Sequence, residues 1–146
     1  MAITAARSVT ASAGLCGVLE RNDIKYDVKD NGDIACIVNG REGDIRLVFR
    51  TDCSKMLVTL YSPLAEHVPL FFAGDAALAV CMMNSRLTDG TVCYDISGGT
   101  VYFRMTASFY NSDPTEFMFE YLLSAAAEAV DEYRPRLKKL MLCTAA

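Results

Sequence analysis

Tryptophan is absent from this chain, histidine occurs once, and no two of its six cysteines stand in a C-x-x-C pair. A single His67 with cysteines scattered at Cys16, Cys36, Cys53, Cys81, Cys93 and Cys143 does not make a Cys/His zinc pattern, which needs ligands in closely spaced pairs. Cations are outnumbered: 14 Lys and Arg against 18 Asp and Glu leave a net charge of -4. Tracking a phosphate backbone needs clustered, unopposed cations, so nucleic acid is not an expected partner. Long apolar runs are missing too. The best, residues 69–83, is broken by Asp75 and falls short of the ~18 residues of a membrane span. Residues 1–7 carry no early basic region, and Ser8, Thr10 and Ser12 interrupt the apolar stretch behind them, so they do not read as an export signal. A cytoplasmic protein without a membrane partner is expected. With 4 Pro and 9 Gly, neither a disordered nor a collagen-like chain fits.

What is present suffices for one core. At 146 residues and 52% apolar content the chain reads as a single domain, 1–146, burying roughly two-thirds of its unfolded surface. Six cysteines allow disulfides, but in a chain of apolar periodic segments buried free thiols are favoured. Leu15, Cys16, Val18 and Leu19 recur at helical spacing, predicting a helix over 8–21. The period then switches to two. Ile24, Tyr26 and Val28 alternate with charged residues, Asn31-Gly32 signals a hairpin, and Ile34, Cys36 and Val38 continue on a second strand. Ile45, Leu47 and Phe49 mark a third strand and residues 56–61 a fourth, followed by a connector over 62–73. Asp75 is placed to cap a helix reaching about Leu87, strands follow over 91–96 and 100–108, and a last helix opens with Asp113 as N-cap and Pro114 behind it. Pro135 should end that helix near Arg134, with a short segment carrying Leu137, Leu140 and Met141 onward. The order α-β-β-β-β-α-β-β-α, with helices covering one face of an antiparallel sheet, is an α+β fold.

No catalytic constellation emerges, and no cofactor is implied. Glu66-His67 could form a carboxylate-oriented base, yet it lies between two prolines in a loop where a solvated pair is the simpler reading. Asp27, Asp30 and Asp33 lack the Gly and Glu positions of a calcium loop and read as hairpin chemistry. Arg134, Arg136, Lys138 and Lys139 read as cations relieving a helix C-terminus. The enzyme class is therefore not expected.

Apolar surface is more informative. The central helix is apolar all round, so one stripe can pack on the sheet while Leu78, Cys81 and Met82 face elsewhere. An uncovered apolar stripe marks an association surface, which makes these three a candidate dimer or partner face. Leu70, Phe71 and Phe72 in the connector are the second candidates. Tyr94, Tyr102 and Tyr133 could instead line a small-molecule pocket between the last helix and the sheet.

Several segments carry a resemblance. Leu19-x-x-x-x-Ile24-x-Tyr26, then Asn84-Ser85-Arg86-Leu87, Gly90-Thr91-Val92-Cys93-Tyr94-Asp95 and Gly99-x-Val101-x-Phe103-Arg104, and last Asp131-x-Tyr133-x-Pro135-x-Leu137, resemble the YbjN family of bacterial sensory transduction regulators. The family's fold is similar to that of type III secretion chaperones. The resemblance implies a non-catalytic, chaperone-like adaptor or regulator that forms homodimers and binds another polypeptide. A small-molecule-binding sensory domain is the alternative.

Overall fold

The computed structural model describes residues 2–144, with side chains described from 11 to 141. Its elements are α1 (Ala2–Arg21), β1 (Tyr26–Val28), β2 (Ile34–Gly40), β3 (Gly43–Asp52), β4 (Leu57–Ala65), a 3-10 turn (Leu70–Phe72), α2 (Ala73–Arg86), β5 (Thr91–Asp95), β6 (Thr100–Ser108) and α3 (Glu116–Thr144). The fold is α+β in the expected element order. All six strands form one antiparallel sheet in the order β1-β2-β3-β4-β6-β5. The first four make the meander that the hairpin signals predict. After β4 the chain crosses through α2 to the far edge and returns as β6 between β4 and β5.

Strand alternation decides the layers. Ile45, Leu47, Phe49, Leu60, Val101 and Phe103 point to one face and are buried beneath α1 and α3. Their neighbours Arg46, Val48, Tyr61, Tyr102 and Arg104 point to the other face, which carries no helix among the described residues. Val18 and Leu19 from α1 and Phe119, Leu122, Ala126, Val130 and Tyr133 from α3 complete the core. Each fully buried Leu or Phe contributes about 1.5–3 kcal/mol relative to exposure, so this face dominates stability.

Several expectations are corrected. The last helix does not stop at Arg134; it runs through Pro135. Pro135 costs the Asp131 carbonyl its intrahelical donor, but Tyr133 and Leu137 on either side are both buried, and that packing holds the helix together. The basic group 134–139 is consequently not at a helix end. Arg134 donates to the carbonyls of Asp44 and Gly43, clamping α3 to the β2–β3 hairpin. The N-cap of α3 is Thr115, whose hydroxyl accepts from the Met118 amide at 3.2 Å, and not Asp113. Asp75 lies inside the first turn of α2 and does not cap it; the N-cap is Phe72. The fourth strand reaches into the predicted connector as far as Ala65, with a register shift between Pro63 and Ala65. Pro63 has no N–H for β3, and the Arg46 carbonyl accepts instead from the buried Ser62 hydroxyl at 2.7 Å.

Candidate functional site

Helix α2 packs through Ala76 and Met83, both buried, against β5 and α3. The turn between these positions directs Leu78, Cys81 and Met82 outward. Leu78 is 62% and Met82 59% exposed, and Cys81 is exposed with them. The three predicted residues thus share one uncovered face. Asp75 stands in the first turn and Arg86 in the last, so the face is acidic at its start and basic at its end.

The connector splits its three apolar residues. Leu70 is 75% and Phe71 78% exposed, whereas Phe72 is 7% exposed and belongs to the core. A 3-10 turn is closed by the Phe72 amide on the Pro69 carbonyl at 2.9 Å, and the Phe71 ring lies against that of Phe72, centroids 4.1 Å apart, on its solvent side. Phe72 therefore leaves the candidate surface. Free cysteines at 16, 36, 53, 81 and 93 fit the thiol expectation, but only Cys36 is buried, and Cys53 and Cys81 are exposed; Cys143 lies outside the described side chains. Burial pushes the Cys36 thiol up to about 11, leaving it protonated and inert at neutral pH.

The tyrosine trio does not assemble. Tyr94 pairs with Val101 and so faces the helices, while Tyr102 pairs with Cys93 and faces the opposite side of the sheet, its ring 6.0 Å from that of Tyr61. Tyr133 is buried in α3, where desolvation holds its hydroxyl above the ordinary range. Tyr102 stands one residue beyond Val101, the partner of Tyr94, and successive residues of a strand point to opposite faces, so Tyr94 and Tyr102 do not line one pocket. The Glu66 carboxylate, for its part, is engaged in an ion pair with Arg46 at 2.7 Å.

Three features escaped the sequence reading. Asp33, read there as turn chemistry, is a nearly buried carboxylate gripped by Arg50 through Nε at 3.1 Å and Nη2 at 2.8 Å. The Arg50 guanidinium holds the Asp33 carboxyl below its ordinary range, and Asn31 assists. Arg50 in turn lies over the Tyr61 ring at 5.7 Å. The second feature is Asn84, whose carboxamide donates to the Val92 carbonyl at 2.9 Å and accepts from the Val92 amide at 2.8 Å. It blocks the outer edge of β5 as a partner strand would. The third is a concavity of about 1050 Å³ where three-residue β1 leaves the outer edge of β2 uncovered, lined by Lys25, Ile37, Val38, Asn39, Arg46 and Glu66. The brevity of the Ile24–Val28 alternation was its only sequence signal.

Comparison with known proteins extends this picture. The family model of YbjN, "Putative bacterial sensory transduction regulator", matches residues 12–139, and the chain belongs to that family. No curated protein matches at a significant level. Among solved structures, a chain of the HopA1–SchA chaperone–effector complex superposes with a TM-score of 0.63 at 12% identity, covering 88% of this chain and 95% of that one. A chain of the ExsC–ExsE complex superposes with a TM-score of 0.64 at 12% identity, covering 88% and 93%. At that identity the likeness establishes the fold. No helix among the described residues is long and apolar enough to cross a membrane.

Proposed function

We propose that this YbjN protein is a non-catalytic, cytoplasmic polypeptide-binding domain that acts as a homodimer, in the manner of a chaperone-like adaptor or regulator. The observation that carries the reading is the outer face of α2, where Leu78, Cys81 and Met82 are exposed together on a helix whose other side is packed. The structural neighbours support it, since both belong to complexes of two different polypeptides and one is described as chaperone–effector.

The charge pattern of α2 favours a second copy on this face. A two-fold axis requires self-complementarity. Antiparallel pairing centred between Leu78 and Met82 sets Leu78 against Met82 of the other copy, and brings Asp75 within one residue of Arg86. Parallel pairing would set like charges together. Each rim pair contributes only about 0.2–1 kcal/mol, so it selects orientation while the apolar contact supplies affinity.

Sedimentation equilibrium tests this directly. The wild type should sediment as a dimer, and Met82→Glu as a monomer with an unchanged thermal melt, because Met82 is outside the core. Tagged wild type should also recover one polypeptide at fixed stoichiometry. A monomeric wild type, or a Met82→Glu variant that remains dimeric, overturns the assignment of this face.

A further inference from the structure

One stretch of the chain is chemically one-sided. Between Arg104 and Arg134 lie six carboxylates, Asp113, Glu116, Glu120, Glu128, Asp131 and Glu132, and no cation. Most of them fall on α3. Some are used internally: Glu116 pairs with Arg21 at 2.8 Å, Glu132 with Arg136 at 3.1 Å, and Asp131 accepts from the Arg41 amide at 2.8 Å. Glu120 and Glu128 are exposed and have no ion-pair partner among the described residues.

The same helix exposes aromatic rings that its packing does not require. Phe117 is 81% exposed and Tyr121 53%. Phe117, Tyr121, Ser124, Glu128 and Glu132 follow the i, i+4, i+7, i+11, i+15 spacing that keeps residues on one line of a helix, and all five are exposed. Beside this line runs a groove of about 360 Å³ between α3 and the α2–β5 connection. Leu87, Phe103, Ala125 and Ala129 supply an apolar floor, and Asp89 and Glu128 stand on its walls with Arg86 as the one opposing cation. Asp89 accepts from the Tyr121 hydroxyl at 2.6 Å, which fixes the ring at the groove's mouth. From Phe117 to Glu132 the line is about 22 Å long, enough for about four turns of a partner helix.

We propose that this face docks a cationic amphipathic segment of the client polypeptide. Apolar side chains of the segment enter the groove, its Lys or Arg side chains meet Glu128 and Asp89, and guanidinium groups stack on Tyr121 and Phe117. Charge complementarity selects the occupant, because an acidic segment would meet the Glu128 and Asp89 carboxylates with Arg86 as the one cation lining the groove. A second copy fits less well. Of the chain's own basic group, Arg134 is held by the Asp44 and Gly43 carbonyls and Arg136 by Glu132, which leaves only Lys138 and Lys139. The proposal rests on the polypeptide-binding reading but uses a different face from α2.

The test uses the full chain and a fluorescein-labelled amphipathic peptide of about four helical turns, Leu on one side and Arg on the other, with Arg→Glu and face-scrambled versions. Fluorescence anisotropy should show binding of the Arg peptide and neither control. Glu128→Lys and Phe117→Ser should each weaken it by about fivefold or more. Glu128→Gln serves as a milder variant, with thermal melts matched to the wild type. Met82→Glu should bind the peptide as the wild type does. Equal binding of the scrambled or Glu peptide, or indifference to both Glu128 and Phe117, overturns the groove assignment. So does a Glu128→Lys variant that lowers the sedimenting mass, which would make the face a contact between copies. A client recovered through the α2 face with no Arg-peptide binding defeats the groove and leaves the adaptor reading standing. Peptide binding in a chain that recovers no client defeats the adaptor reading instead.

Discussion

Replacing Arg50 by Ala strands the Asp33 carboxylate, and the consequence is calculable in sign and size. The Asp33 side chain is 10% exposed, whereas Arg50 is 55% exposed. Breaking a fully buried pair by removing one partner costs about 3–5 kcal/mol, and the exposed position of Arg50 reduces this to about 2 kcal/mol. The pH dependence separates this cause from lost packing. In the wild type the guanidinium depresses the Asp33 pKa below its unfolded value, near 3.9. That stabilisation is present above the unfolded value and lost as pH falls through the folded one. In Arg50→Ala desolvation outweighs the remaining Asn31 hydrogen bond, so the folded pKa rises above the unfolded value. The charged carboxylate then destabilises the fold at neutral pH and is relieved by protonation. Urea denaturation followed by circular dichroism should therefore show a deficit of about 2 kcal/mol at neutral pH that shrinks at acid pH. Asp33→Asn in the Arg50→Ala background should recover part of it, since no buried charge remains. A deficit independent of pH, or a double variant whose cost is the sum of the two singles, would refute the reasoning.

Two further predictions concern the edge and the helix face. Asn84→Ala leaves the Val92 amide and carbonyl without their partners and should destabilise the fold by about 2 kcal/mol in thermal melts. It also frees the β5 edge, so light scattering should show faster aggregation; unchanged stability would mean that water replaces the carboxamide. Bismaleimide crosslinking should give a covalent dimer through Cys81, because antiparallel α2 pairing places that residue about one position from the two-fold axis. Cys81→Ser should abolish the product. A crosslink surviving in Cys81→Ser, through exposed Cys53 for instance, would point to a different arrangement.

Much of the architecture could be read from local chemistry. The alternation of Ile45, Leu47 and Phe49 is a statement about one strand and its two faces, and it holds wherever that strand sits. The outward aim of Leu78 and Met82 was legible for the same reason, since helical spacing alone separates them from Ala76 and Met83. The failures fall where a residue's fate depends on a distant partner. Pro135 reads as a helix stop because local propensity counts the lost hydrogen bond; the core contacts of Tyr133 and Leu137, which outweigh it, are tertiary. Phe71 and Phe72 are indistinguishable by composition, and only the packing beneath the 3-10 turn buries one ring while the other lies over it in solvent. Tyr94 and Tyr102 were grouped by residue type, although the parity of the β5–β6 register sends them to opposite faces.

Element order, the antiparallel meander, the apolar stripe on α2 and the shortage of cations that disfavours nucleic acid are all carried by the residues alone. These follow from periods, turn residues and charge counts, which act within a few residues or over the whole chain. What the fold alone settles is that Arg50 grips Asp33 across 17 positions, that Asn84 seals β5, and that an apolar groove runs beside the exposed line of α3. Those placements depend on how strands and helices come to lie beside one another, with α3 packed across β4 and β6 and α2 against β5, and no local period encodes that.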